Sequence, residues 1–225
     1  MTAEEQRWAW RSEIGAVLFD MDGTLIDSEH LAGRAIDMLL ADYDVTLDLT
    51  GPWFHGTTWA SIARTLHAQT DALSGVNVPA VLSAHFHTAL VQTAPPAIPG
   101  APEAVTAAAS GCATAVVSSS DRASVDHIIA RLGLEDHINE RVTAEDCERS
   151  KPDPQCFQIA AQRLDVDCAR CLVFEDSLAG LKAAQAAGMR TIAIGTHPDV
   201  VSIADHAIAD FWDLPADFFD PMGVK

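Results

Sequence analysis

"AVLFDMDGTLIDSEH" (residues 16–30) runs an apolar segment into two aspartates one residue apart, Asp20 and Asp22, and then straight into Gly23 and Thr24. A buried carboxylate is costly unless a cation or a set of hydrogen-bond donors compensates it. Two of them at the end of an apolar strand therefore point to a bound cation, to chemistry, or to both. The run itself, "IGAVLFD" (14–20), shows no alternation of apolar and polar residues. That is the pattern of a strand covered on both faces in a parallel sheet.

Further runs of this kind lie at 112–118 ("CATAVVS"), 137–143 ("HINERVT", the weakest), 171–175 ("CLVFE") and 191–195 ("TIAIG"). Helical patterns separate them at 101–109, 121–132, 153–164 and 177–187. Strands alternating with helices predict an α/β, Rossmann-like, doubly wound and mostly parallel sheet. The segment 28–93 breaks the alternation. It holds three helical stretches, "SEHLAGRAIDMLLADY", "TTWASIARTLHAQ" and "VPAVLSAHFHTALVQ", and ends at the proline-rich "TAPPAIPG". The expected organisation is a core of residues 1–27 and 94–225 with a helical cap, 28–93, inserted after the first strand. Such a lid would lie over the carboxyl ends of the strands, where ligands bind in these folds.

The chain of 225 residues carries 32 Asp and Glu against 14 Lys and Arg, a net charge of −18. Nucleic acids and anionic membranes call for a basic face, so neither is an expected partner. No apolar run approaches the ~20 residues of a membrane span. "MTAEEQRWAWRSE" reads as neither a signal nor a transit peptide. A cytoplasmic protein, monomeric or weakly dimeric, is expected. Five scattered cysteines fit reduced thiols, and "CARC" (168–171) has no matching second pair to make a zinc site. With only Lys151, Lys182 and Lys225 in the chain, a lysine inside a motif carries information.

Four features fall at the carboxyl ends of the expected strands: Asp20-Met-Asp22-Gly23-Thr24, Ser118, Lys151 in "SKPDP", and Glu175-Asp176. Singly, each has an ordinary reading as a turn, a helix cap or a solvated side chain. Together they supply carboxylates, a hydroxyl and an ammonium, the inventory that binds Mg²⁺ and a phosphoryl group.

The ordered motifs "DMDGT", "VVSSS", "SKPDP" and "EDSLAGLKAA" resemble those of the haloacid-dehalogenase superfamily, over residues 14 to about 195. The resemblance is to its helical-capped phosphatases and β-phosphoglucomutase. It implies Asp20 as nucleophile and Asp22 as general acid and base. Ser118, Ser119, Lys151, Gly23 and Thr24 would surround the phosphoryl group. Asp20, Asp22 through its main-chain carbonyl, and Asp176 would ligate Mg²⁺, with Glu175 as a further candidate. A dehalogenase has no need of Asp22. A mutase's lid arginine and histidine are replaced here by Trp59 and Ala32, and its lysine and asparagine after Ser120 by Asp121 and Arg122. A phosphatase of small phosphorylated metabolites is the expected function, with a mutase as the alternative, then a dehalogenase or a non-catalytic binding protein. Between residues 28 and 93 the cations are Arg34 and Arg64, against six acidic residues, while Trp53, Phe54, His55 and Trp59 offer aromatic faces. A monophosphate with a neutral, ring-bearing leaving group is therefore expected, with Trp59 as a substrate contact.

Overall fold

The computed structural model describes residues 7–49, 58–220 and 222. The first strand, β1 (Ala16–Phe19), is buried at every position. Its neighbours are β2 (Ala113–Val117), β4 (Cys171–Glu175) and β5 (Arg190–Ile194), with β3 (Glu140–Val142) and β6 (His206–Ile208) outermost. All pairings are parallel and the order is β3-β2-β1-β4-β5-β6. The reversal of strand order at β1 makes it the switch point beside which ligands bind in open α/β sheets.

Apolar side chains from both faces of the sheet explain why these short strands hold. Leu18, Val117, Val173 and Phe157 share one buried cluster. Phe19 stacks on Phe174 with ring centroids 5.3 Å apart, and Phe211 packs against both. The strand expected at 137–143 is reduced to three residues, because only Val142 of Glu140–Val142 is fully buried. Strand β6 follows no apolar run. "HAI" is too short and too half-buried to show periodicity, and its register comes from pairing with β5.

The chain divides into two compact units, Met1–Ile26 with Ala97–Lys225, and Asp27–Pro96. The first contains the sheet and the helices α4 (Ala101–Ala109), α5 (Arg122–Arg131), α6 (Gln155–Arg163), α7 (Leu178–Ala186) and the single turn α8 (Pro198–Val201). The second contains α1 (Glu29–Asp42), α2 (Trp59–Gln69) and α3 (Val78–Thr93), with α1 and α2 both packed on α3. Leu31, Ala35 and Leu39, four apart on α1, are fully buried, as are Leu82, Ala89 and Leu90 on α3. At the boundary Ile26 bridges Ala97 within the first unit, and the Asp27 N–H donates to the Pro96 carbonyl at 2.9 Å within the second.

The amino-terminal segment holds more structure than its mixed composition announces. Trp8 is buried and meets Phe218 edge-to-face at 5.1 Å. Trp10 stacks on His206 at 5.6 Å and donates from Nε1 to its Nε2 at 3.1 Å. All five cysteines are free thiols.

Candidate active site

Asp20 and Ser118 each stand one residue past a strand. The Asp20 N–H donates to the Phe174 carbonyl (3.0 Å) and the Ser118 N–H to that of Val142 (2.9 Å), so each extends its ladder by one rung. Both side chains are buried, as are Thr24, Ser120, Lys151 and Glu175. Backbone pairing thus delivers the polar groups of "DMDGT" and "VVSSS" to one end of the sheet.

Lys151 joins them from the loop before α6. Its Nζ donates to Asp20 Oδ1 (2.6 Å), to Glu175 Oε2 (2.7 Å) and to the Val117 carbonyl (3.1 Å). These three bonds use all three ammonium protons. Burial opposes the charge on Lys151, but Asp20 and Glu175 outweigh it and hold the group protonated well above its ordinary range. Asp20 is pushed up to about 8, by burial above all, with Glu175 and Asp22 adding to the effect and Lys151 opposing it. Burial, then Glu175 and Asp20, also raise Asp176 well above the usual carboxylate range.

Asp20, Glu175 and Asp176 each place a carboxylate oxygen within 4.8 Å of the others. One lysine cannot neutralise three clustered carboxylates. The surplus negative charge, the hard oxygen donors and the raised carboxyl groups fit a divalent cation such as Mg²⁺. The packing around the cluster fits it too. Gly23 has φ +87°, and a Cβ there would lie 2.1 Å from Asp176 Oδ2. Only glycine both takes that conformation and leaves room for the carboxylate. A Cβ on Gly180 would lie 2.0 Å from Glu175. Glu175 is further held through Oε1, which accepts from the Ser177 N–H (3.0 Å) and Oγ (2.7 Å).

Of the residues singled out in the sequence, Asp20, Lys151, Glu175 and Asp176 meet in this cluster. Thr24 Oγ1 donates to Asp176 Oδ1 at 3.2 Å, and Ser118 Oγ lies 3.5 Å from Asp22 Oδ2. Ser119 is exposed. Trp59 is half-buried and packs on Phe86 of α3, ring centroids 5.6 Å apart. Trp53, Phe54 and His55 lie outside the described residues. Ser120, Ser177 and Gly180 were not singled out. Ser120 comes beside Ser118 through a bend at 119–120 in which its N–H donates to Ser118 Oγ at 3.0 Å, and nothing in "SSS" announces that bend.

This arrangement of two aspartates, a serine, a lysine and an acidic pair on a parallel α/β sheet defines a class of hydrolase. The chain belongs to the haloacid dehalogenase-like hydrolases, whose family profile matches residues 14–188. It is 38% identical over 192 residues to the chloroplastic protein Suppressor of quenching 1 of Arabidopsis thaliana, a match covering 82% of this chain and 18% of that much longer one. Hexitol phosphatase B of Escherichia coli K12 is 30% identical over 201 residues, 81% of this chain and 84% of the relative. Among solved structures, CbbY from Rhodobacter sphaeroides in complex with phosphate superposes with a TM-score of 0.80 at 26% identity, covering 92% of this chain and 99% of that one.

Proposed function

We propose that this hydrolase is a Mg²⁺-dependent phosphatase of small phosphate monoesters with an uncharged leaving group, such as sugar or sugar-alcohol phosphates, and that it works through a phosphorylated Asp20. The single observation that carries the reading is the buried Asp20–Lys151–Glu175 network beside Asp176. Asp20, Asp176, the main-chain carbonyl of Asp22 and the neighbouring Glu175 would hold the ion. When bound, Mg²⁺ supplies charge stabilisation to the phosphoryl oxygens and relieves the repulsion among the carboxylates.

The chain's own groups divide the remaining work. Lys151 opposes the burial that raises Asp20, and together with the bound ion it would hold Asp20 ionised, so that its carboxylate attacks phosphorus. Asp22 gives a proton to the ester oxygen as the P–O bond breaks, then takes one from the water that releases phosphate. Ser118 lies beside Asp22 and supplies a hydroxyl to the phosphoryl oxygens. Gly23, Thr24 and Ser119 complete the loops around that group.

Phosphatase activity is supported by the hexitol phosphatase relative. The uncharged leaving group is supported by the scarcity of cations: Arg34 is bound to Thr93 and Gln92, and Arg122 to Asp146 at 2.5 Å. Trp59 is proposed as a contact for the substrate's leaving group. In this reading the 28–93 segment acts as a lid, and the enzyme is a cytoplasmic monomer or weak dimer. The test is a panel of phosphate monoesters with and without Mg²⁺. Metal-dependent turnover that favours hexose or hexitol phosphates over bisphosphates and phospho-carboxylic acids is expected. A best substrate that is a bisphosphate contradicts the charge argument, and turnover undiminished by a chelator contradicts the metal.

A further inference from the structure

We infer that Ser120 is a positioning residue for the acid and base work of Asp22, an inference that rests on the role proposed for Asp22 above. Ser120 Oγ donates to Asp22 Oδ2 at 2.7 Å. This is the shorter of the two serine contacts to that oxygen, Ser118 Oγ lying at 3.5 Å. The backbone of Ser120 is pinned on both sides: its N–H donates to Ser118 Oγ at 3.0 Å, and its carbonyl accepts from the Ala144 N–H at 3.0 Å. Ser120 is buried, so its hydroxyl does not exchange freely with bulk water as a partner.

The chemistry of a hydroxyl suits this position. Asp22 is protonated before the ester bond breaks and ionised after it, and a side chain serving both states must not lock either one. An ammonium or guanidinium would hold Asp22 ionised, and a carboxylate would hold it protonated. A hydroxyl donates to the ionised form and remains a partner of the neutral one. While it donates to Oδ2, the transferable proton resides on the other carboxyl oxygen. Ser120 thereby sets which oxygen faces the reaction. In the first step an Asp20 carboxylate oxygen bonds to phosphorus as the ester P–O bond breaks, the electron pair of that bond stays on the ester oxygen, and that oxygen takes the Asp22 proton. In the second, water gives its proton to Asp22 as it bonds to phosphorus, and the bond from phosphorus to Asp20 breaks.

The experiment compares kcat/KM for a hexitol phosphate, whose alkoxide needs a proton, with that for p-nitrophenyl phosphate, whose phenolate does not. Both are measured on wild type, Ser120→Ala, Ser120→Thr and Asp22→Asn, with Tm as the check on folding. Ser120→Ala should lose roughly tenfold on the hexitol phosphate and only about twofold on p-nitrophenyl phosphate, while Ser120→Thr recovers most of the difference. Equal losses on both esters, or no recovery by threonine in a folded protein, would overturn the inference. Asp22→Asn separates the two levels of the argument. If it shows the leaving-group split and Ser120→Ala does not, only the role of Ser120 fails. If Asp22→Asn shows no split, the acid assignment fails and this inference falls with it.

Discussion

Lys151 is buried and donates to three acceptors at 2.6–3.1 Å, so its loss should touch the fold as well as the catalysis proposed for it. Replacing it with methionine removes the cation that faces Asp20 and leaves buried carboxylates uncompensated. Breaking one side of a buried ion pair costs about 3–5 kcal/mol, and losing a positioned charge at the reacting group costs about 3 kcal/mol of barrier. Lys151→Met should therefore lower both Tm and kcat, and added Mg²⁺ should recover part of the Tm. Unchanged melting together with near-wild-type turnover would return Lys151 to an ordinary turn residue. Gly180 offers a sharper case. Alanine at an exposed position inside a helix ordinarily stabilises by about 1 kcal/mol relative to glycine. Here the added Cβ would fall 2.0 Å from Glu175, so Gly180→Ala should destabilise the fold and slow turnover by displacing the partner of Lys151. A more stable, fully active variant would show that Glu175 can move without consequence.

At the scale of elements, the sequence was readable where strands are continuous and apolar. β1 and β4 stand out because every residue in them is buried, and the acidic motifs of the candidate site lie directly at their ends. β6 and the turn at Ala9–Glu13 were not readable, because they depend on contacts between distant segments. Trp8 and Trp10 acquire a purpose only when His206 and Phe218 come beside them. The loop after β3 was equally silent. There Asp146 receives Arg163 at 2.6 Å, Arg122 at 2.5 Å and Thr143 at 2.9 Å. Burial raises the Asp146 carboxyl, but the Arg163, Thr143 and Arg122 contacts outweigh it and hold the group down to about 2. A carboxyl depressed in the folded state stabilises the fold above its unfolded pKa of about 3.9, and that contribution is lost as pH falls towards 2. Asp146→Asn should therefore cost about 2 kcal/mol at neutral pH, with the gap from wild type closing between about pH 4 and pH 2 in urea titrations. A gap that stays constant over that window would mean that the arginine contacts carry no net stability.

For the whole molecule, the proposed metal is the broadest lever. A ligand at 100 times its Kd stabilises by about 2.7 kcal/mol, which for a chain of this size is roughly 5–10 °C in Tm. Mg²⁺ should raise the Tm of wild type by that order and leave Asp176→Asn nearly unmoved. An equal rise in both would place the ion elsewhere. Fold class and the core of the site were legible in the sequence because motif order and strand ends coincide. The way the site is braced was not: Ser120, Ser177 and Gly180 carry no distinctive residue chemistry and matter only through their distances to Asp22 and Glu175. Phosphorylation of Asp20 is the central step of the proposed mechanism. The most direct measurement is intact and peptide mass spectrometry of Asp22→Asn, acid-quenched during turnover of p-nitrophenyl phosphate with Mg²⁺. This leaving group departs without the acid, whereas water attack lacks its base, so a phosphoenzyme should accumulate. The account predicts one added phosphoryl group on the peptide containing Asp20, absent when Asp20 is also changed to Asn and absent with chelator. Turnover with no phosphorylated peptide, or a phosphoryl group on another residue, would contradict it.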